Sequence, residues 1–346
     1  MSFSHRCRLL VGFADLKITK LSILLDTILI SDLATYWSQN IRTNTFAACT
    51  NGTSPLLITS QTDADALRDC DVINGDIHIS SSTLRNLTLN SIHRISGHLT
   101  AAESPLLSSL SAPDLEWINA QFQLVNLPLL TNISFPQLET ITKGVYWEDL
   151  PLLSHPELKS EGVDVFNNEG TNVYGDLYVK RTGVDKLNFF NFGTFSRAED
   201  IKIVENPELV KINLTLLEQA VELEITGNHP DSYVLIPRLK KVSKLTLEGI
   251  VRVDVESLNV MDGALVLKDN SFEKFTAPEL RAVGGDFFLV GNEQLKILDL
   301  PALETIGGSY VNGDFKVEGN PKLLHLSLPA LSYTDGIMNL TGHFQR

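Results

Sequence analysis

The sequence has few of the residues on which metal sites, redox centres and disulfide frameworks depend. Only three of its 346 residues are cysteine and eight are histidine. It contains no Cys-x-x-Cys pair and no histidines at the spacing of metal ligands. A Gly-x-Ser-x-Gly nucleophile elbow and a phosphate-binding loop are also missing. The sequence therefore predicts no metal site, no cofactor and no catalytic residue of these classes.

Positive charge is also scarce. Lys and Arg number 28 against 42 Asp and Glu, which gives a formal net charge of −14 at pH 7. Nucleic acid and anionic membrane surfaces repel such a chain. The charge argues against both as partners and does not select another.

Sustained helical periodicity is missing after about residue 75. Instead, twelve short segments share a template, in which Gly and often Asp precede two apolar residues separated by one that faces outward. The copies begin at residues 75, 97, 120, 144, 175, 199, 221, 243, 263, 285, 313 and 336, in steps of 20 to 31 residues. Such a period is typical of a solenoid, in which each turn buries its apolar face only against its neighbours.

Aligned copies form two inward columns. The first contains Ile77, Leu99, Phe122, Tyr146, Leu177, Ile201, Leu223, Leu245, Leu265, Phe287, Phe315 and Met338. The second contains Ile79, Ala101, Leu124, Glu148, Val179, Ile203, Ile225, Leu247, Leu267, Leu289, Val317 and Leu340. Period-2 alternation predicts a half-buried strand, and one strand per turn with long returns can only stack in parallel. Glu148 does not fit its column.

Asparagine recurs seven residues after the template start. This asparagine column, interrupted by Ile250, contains Asn206, Asn228, Asn270, Asn292 and Asn320. Asparagine tolerates the left-handed backbone of a sharp corner, and its amide can bond to the amide one turn away. We interpret the column as structural rather than ligand-binding. Pro-x-Leu recurs in the return segments at Pro113, Pro136, Pro237, Pro278, Pro301 and Pro329, where proline suits a strand edge or a bend. The predicted fold is an all-β, right-handed parallel β-solenoid with roughly triangular turns.

A short capping helix is predicted before the first copy. Residues 60–67 have helical propensity and begin with an N-cap serine, and Cys49 and Cys70 lie on either side. A disulfide between them would hold the helix to the first turn, contribute about 3 kcal/mol, and imply an oxidising compartment. The alternative is two unrelated thiols.

The longest step, 31 residues, suggests two modules that meet near residue 172, either separate or as one continuous rod. We predict a first module at residues 49–172 and a second, C-terminally truncated module at residues 173–346. Residues 1–48 form an N-terminal extension whose apolar patch, interrupted by Asp26, is interpreted as a signal or a mis-assigned segment.

Several of these motifs occur together in one known family. They are Cys49 with Cys70, Gly75-Asp-Ile-His-Ile-Ser80, Asn206-Pro-Glu-Leu209, Asn320-Pro-Lys-Leu323 and Leu300-Pro-Ala-Leu303. From Cys49 to Arg346 the sequence resembles the fungal GPI-anchored cell-wall organisation proteins, including sporulation-specific members, whose modules are similar to receptor L domains. The resemblance implies secretion, N-glycosylation and a role in wall integrity, without established catalytic residues. A stalk, an anchor signal and closing cysteines are not found, so we expect membrane contact only through a lipid anchor that this sequence does not encode.

Five Asn-x-Ser/Thr sequons are candidate N-glycosylation sites. They are Asn51, Asn86, Asn132, Asn213 and Asn339. Asn339 falls on an outward template position, where a glycan would fit.

A parallel β-helix can also degrade polysaccharides. Acidic residues recur at the second template position, as Asp176, Asp200 and Glu222 on successive copies and as Asp286 and Asp314 on two later ones. Hydrolases need two carboxylates about 5 Å or 6.5–9.5 Å apart, and turns spaced by about 4.8 Å would bring these close. Acids at such junctions usually cap backbone amides or face water, and no pectin-hydrolase signature is present. We therefore expect a non-enzymatic protein, with catalysis or calcium binding at this column as alternatives.

The outward template position holds Trp147 and Tyr178 on neighbouring copies. Outward aromatics with a polar rim form a candidate surface for a glycan or a protein, unless the insertion at residues 151–174 covers them. The expected function is that of an extracellular protein of the cell wall or the outer plasma-membrane surface. It would act structurally or by binding wall polysaccharide or wall proteins. A glycan-active enzyme and a receptor-type ectodomain are the alternatives.

Overall fold

The structure is a computed structural model that describes residue 49 and residues 54–159, 171–187, 190–191, 197–308 and 313–342. These residues belong to one compact unit, Ala48–Arg346. The predicted extension at residues 1–48 and the sequon at Asn51 lie outside the described residues.

The first face of the solenoid is a parallel ladder with one strand from each turn. Its 13 strands are β1 Leu56–Ile58, β3 Ile77–Ile79, β6 Leu99–Ala101, β9 Phe122–Val125, β12 Gly144–Leu150, β15 Asp176–Thr182, β18 Arg197–Val204, β20 Gln219–Thr226, β22 Lys241–Glu248, β25 Leu265–Lys268, β28 Phe287–Val290, β31 Phe315–Glu318 and β34 Met338–Leu340. The twelve template copies give β3 to β34, and β1 is an additional strand that the template does not predict.

The second face consists of shorter strands, each of which comes before a first-face strand along the chain. In the first half they are β2 Val72–Ile73, β5 Arg94–Ile95, β8 Trp117–Ile118, β11 Thr140–Ile141, β14 Thr171–Val173 and β17 Phe190–Asn191. After the long strands β18, β20 and β22 they are β24 Val260–Met261, β27 Ala282–Val283, β30 Thr305–Ile306 and β33 Tyr333–Thr334. Strand β22 pairs with both β24 and β25, so it links the two faces.

The third face is divided into three ladders. They are β4 Asn86–Thr88, β7 Ser109–Ser111, β10 Asn132–Phe135 and β13 Glu157–Leu158; β16 Lys186–Leu187, β19 Lys211–Asn213, β21 Tyr233–Leu235 and β23 Arg252–Asp254; and β26 Lys274–Thr276, β29 Ile297–Asp299 and β32 His325–Ser327. Each strand in the three faces pairs in parallel with the equivalent strand of a neighbouring turn, which confirms the predicted parallel β-solenoid.

The core is a stack of apolar columns inside the turns. Leu223, Leu245 and Leu265 are paired in register and fully buried, as their template positions predict. Each buried aliphatic side chain of this size contributes about 1.5–3 kcal/mol relative to an exposed one. The stack passes the predicted module boundary, because β12 pairs with β15 from Gly144↔Asp176 onward. The division into two modules stays a prediction.

The asparagine column forms a hydrogen-bonded series at the corner after the first face. Asn270 Nδ2 donates to Asn292 Oδ1 at 3.0 Å, and Asn292 Nδ2 donates to Asn320 Oδ1 at 3.1 Å. Asn292 Nδ2 also donates to the carbonyl of Leu267 on the preceding turn at 2.9 Å. These buried amides therefore satisfy corner groups that the strands leave unpaired.

The left-handed residue of this corner is the one before the asparagine. Glu205 has φ 58° and Asp269 has φ 50°, and Gly291 and Gly319 occupy the same position with φ 70°. The predicted reason for choosing asparagine was therefore wrong, although its predicted bonding between turns is confirmed. Asparagine is needed because its side-chain amide both donates and accepts hydrogen bonds between turns. The preceding position favours glycine or a polar residue that tolerates positive φ.

The N-terminal segment contains one short helix, α1 Gln61–Asp65. Ser60 is its N-cap: Asp63 N donates to Ser60 Oγ at 3.3 Å, and Ser60 N donates to Asp63 Oδ2 at 2.9 Å. The side-chain amide of Gln61 bonds to both the N–H and the carbonyl of Thr88 on β4, at 2.9 Å each. Cys49 and Cys70 form the predicted disulfide.

We expect Asn292→Ala to lower the free energy of unfolding by about 2–4 kcal/mol, because it leaves amide and carbonyl partners on both neighbouring turns unsatisfied. Chemical denaturation followed by circular dichroism measures this change. Asn90 is exposed, so Asn90→Ala is the matched control and should change the value by less than about 0.5 kcal/mol. Equal effects of the two substitutions would contradict a structural role for the column.

Candidate functional site

The aromatic surface of the first face is formed by Tyr146 and Tyr178. Tyr146 is paired with Gln123 on one side and Tyr178 on the other, in the outward column. The two tyrosine rings are parallel within 4°, and their centroids are 4.5 Å apart. Both side chains are partly exposed. The two rings lie at the surface, and each covers one face of the other.

The predicted outward position of Trp147 is wrong by one residue. Trp147 is fully buried and pairs with Leu124 and Val179 in the inward column, while its ring meets Phe122 edge-on at 5.9 Å. The period-2 pattern fits two registers here, and a slip of one residue reverses every side chain. The observed register puts Trp147 inside and the carboxylate of Glu148 outside, which avoids burying a charge. Tyr146, predicted inward, is therefore the outward aromatic.

An ion-pair network borders the tyrosine pair. Tyr146 Oη donates to Glu148 Oε2 at 2.6 Å, and Arg181 Nη2 donates to Glu148 Oε1 at 2.7 Å. Arg181 also binds Asp149 through two nitrogens and Glu205 at 3.3 Å. The hydrogen bond to Glu148 raises the pKa of Tyr146, with a further contribution from burial, and the hydrogen bond from Arg181 lowers the pKa of Asp149.

This network fixes three consecutive turns to one another at the corner. Asp149, Arg181 and Glu205 have φ of 58°, 52° and 58°, so each side chain projects from a left-handed backbone. The carboxylates of Glu148, Asp149 and Glu205 all bond to Arg181, so each has a cationic partner, although three acids outnumber one guanidinium. A rigid aromatic pair beside satisfied charges suits binding of a neutral or weakly polar ligand.

The acidic template column does not bring two free carboxylates together. Asp176 Oδ1 accepts from Asp200 N at 3.0 Å, and Asp286 Oδ1 accepts from Asp314 N at 2.9 Å. Asp314 Oδ1 in turn accepts from Ile337 N at 2.8 Å. These acids cap backbone amides of the next turn.

Glu222, the third member of the first acidic run, is held by two lysines. Lys244 Nζ lies 2.6 Å from Oε1 and Lys202 Nζ lies 2.9 Å from Oε2. The hydrogen bond from Lys244 and the weaker one from Lys202 lower the pKa of Glu222 against the opposing effect of burial. A general acid for glycoside hydrolysis needs a raised pKa, so this carboxylate has the wrong shift for that role.

The sequons occupy different surfaces. Asn86 and Asn132 are exposed on the third face, where both pair with Ser109. Asn339 is exposed beside Lys316 on the first face, and Asn213 is half-buried at the end of β19. Exposure is compatible with glycosylation, which stays a prediction at these positions.

The residues that the structure describes contain no group of three His, Cys, Asp or Glu side chains arranged to hold a metal ion. They also include no helix with the length and hydrophobicity that crossing a bilayer would require.

The pairing of its strands defines the chain as a parallel β-solenoid. No family model matches the chain, and no solved structure matches it. The chain is 31% identical over 266 residues to Protein ecm33 of Aspergillus fumigatus, covering 77% of this chain and 63% of that protein. It is 25% identical to Cell wall protein ecm33 of Schizosaccharomyces pombe, over 72% of this chain and 56% of that protein. It is 30% identical to a Cell surface GPI-anchored protein of Arthroderma benhamiae, over 73% of this chain and 62% of that protein.

These homologues confirm the predicted family resemblance. Curated relatives at 23–31% identity include the fungal ecm33 proteins, GPI-anchored cell-surface proteins and a sporulation-specific protein. The chain spans between about half and two-thirds of the length of the curated relatives that it matches. None of their names describes an enzyme.

We expect Glu222→Gln to destabilise the protein by about 1 kcal/mol at pH 7 and by less at pH 3. The pKa of Glu222 is lower in the folded chain, so its contribution is complete above the unfolded pKa and is lost as the pH falls through the folded pKa. Denaturant midpoints at both pH values measure the difference. Glu224→Gln, on the same strand, is the control because no ion pair of Glu224 is found among the described residues. An effect of Glu222→Gln that does not change with pH would contradict the assignment.

Proposed function

We propose that this chain is a non-enzymatic cell-surface protein that contributes to the organisation and integrity of the fungal cell wall. The names of its homologues support an extracellular location at the wall or the outer membrane surface. The disulfide between Cys49 and Cys70 supports an oxidising compartment.

The solenoid would act as a rigid scaffold that presents a binding surface. Successive outward residues of the first face, from Thr100 through Gln123, Tyr146 and Tyr178 to Lys202, are paired in register from turn to turn. A polysaccharide lying along this row would meet hydrogen-bonding groups on both sides of the aromatic pair. Wall polysaccharide is therefore the proposed partner of this surface, with Tyr146 replacing Trp147 beside Tyr178.

The observation that carries this proposal is the distribution of charge and aromatic surface on the first face. On this face Asp176 caps a backbone amide and Glu222 is ion-paired with two lysines, whereas the tyrosine pair remains partly exposed. Such a face favours adhesion over hydrolysis, because hydrolysis needs a carboxylate held in its acid form beside an ionised one.

We expect Tyr146→Ala combined with Tyr178→Ala to weaken retention on isolated wall glucan roughly tenfold, since each aromatic contact contributes about 0.5–1.5 kcal/mol. Retention is measured by co-sedimentation of purified protein. The control combines Tyr174→Ala with Tyr333→Ala, which removes two exposed tyrosines outside this column. Trp147→Ala is unsuitable as a test because it empties the core and should cost about 3–5 kcal/mol of stability.

Unchanged retention of the Tyr146/Tyr178 variant would refute binding at this surface. An equal loss in the control pair would show that retention depends on exposed aromatic area in general and would contradict a defined site.

A further inference from the structure

The third face has an opening between β23 and β26. In the described residues, β23 pairs only with β21 and β26 only with β29, so no strand pairing joins the two. Backbone hydrogen bonds close the opening at both ends, from Ser271 N to Ile250 O at 2.9 Å and from Arg281 N to Asn259 O at 2.8 Å. Residues of both strands line a groove of about 1170 Å³.

The opening follows from a shortened corner. Ile250 stands where neighbouring turns have asparagine, and the inward residue of the next strand, Val253, follows it after only three positions. The equivalent distances are six positions from Asn228 to Val234 and five from Asn270 to Phe275. Strand β23 therefore starts earlier than its neighbours and leaves the ladder incomplete on one side.

Two cations without partners among the described residues line this opening. Arg252 begins β23 and Lys274 begins β26, and both are exposed and line the groove. Neither side chain forms an ion pair or a hydrogen bond with the described residues, whereas Lys240 is bound to Glu218 at 2.9 Å and Lys241 to Asp262 at 2.8 Å. In a chain with a net charge of −14, two cations without partners in one groove are available to bind an external anion.

The remaining lining is suited to sugar hydroxyls. Asp254, Glu256 and Glu279 supply acceptors, while Val253 and other apolar side chains add carbon surface. Three carboxylates would repel a polyanion such as nucleic acid, and a neutral sugar would leave Arg252 and Lys274 unused. A sugar with a single negative group would use both the two cations and the hydrogen-bond acceptors of the lining.

We propose that the groove between β23 and β26 binds a negatively charged sugar, with Arg252 and Lys274 holding its anionic group and the carboxylates of Asp254, Glu256 and Glu279 accepting hydrogen bonds from its hydroxyls. This site lies on a different face from Tyr146 and Tyr178, and it does not depend on the proposed wall-binding surface. The anionic group is either a carboxylate, as in a uronic acid, or a phosphate, as in a phosphorylated sugar, because a guanidinium and an ammonium group bind both.

Calorimetric titration of the full chain with an oligogalacturonate, a mannose 6-phosphate oligosaccharide and a neutral glucan oligosaccharide tests the site. We expect binding of one or both charged sugars that weakens with added salt, and at least tenfold weaker binding of the neutral sugar. Arg252→Glu combined with Lys274→Glu should abolish the binding. Arg85→Glu combined with Lys143→Glu makes the same change in net charge at exposed positions outside the groove and should leave it intact.

Three results would overturn the proposal: no binding of either charged sugar, binding that survives charge reversal at Arg252 and Lys274, or inorganic phosphate alone competing as strongly as the sugars. The last result would show that the groove recognises a bare anion. Loss of glucan retention at Tyr146 and Tyr178 is measured separately, so either site can fail without the other.

Discussion

The structure depends on parallel, in-register pairing between successive turns. A single turn cannot bury its apolar face, because its strands are only two to eight residues long and have their hydrogen-bonding groups on both sides. Stacking solves both problems, since each turn covers the apolar columns of its neighbours and pairs with their backbones. Leu223, Leu245 and Leu265 show the result, with each fully buried above the next.

The corners determine how regular the stack is. Where asparagine occupies the column, as at Asn270 and Asn292, its amide joins adjacent turns and the ladders continue. Where Ile250 replaces it, the corner is shorter and the third face opens into the groove. A local change in corner length thus accompanies a concave site on the third face, and irregularities of this kind can give a repetitive fold a specific pocket.

Much of the fold could be predicted because period and alternation are strong signals over twelve copies. The register of a single copy was harder to predict. The pattern around Trp147 fits two registers, and the only sign that the predicted one was wrong is that it places Glu148 in an inward column. Strand β1 was missed because it has neither the template glycine nor the alternation of apolar and polar residues. The groove was missed because a sequence pattern does not show which strands fail to pair, although the irregular Ile250 and the 20-residue step of the repeat mark its position.

In-register stacking of the first face is tested most directly by electron paramagnetic resonance distances between spin labels at Gln123 and Thr246, on a Cys7→Ser background. The two residues are outward and five turns apart in the ladder through Tyr146, Tyr178, Lys202 and Glu224. With about 4.8 Å between turns, we predict a single peak near 24 Å, broadened by the label tethers. A main distance above about 40 Å, or a distribution without a defined peak, would contradict the account.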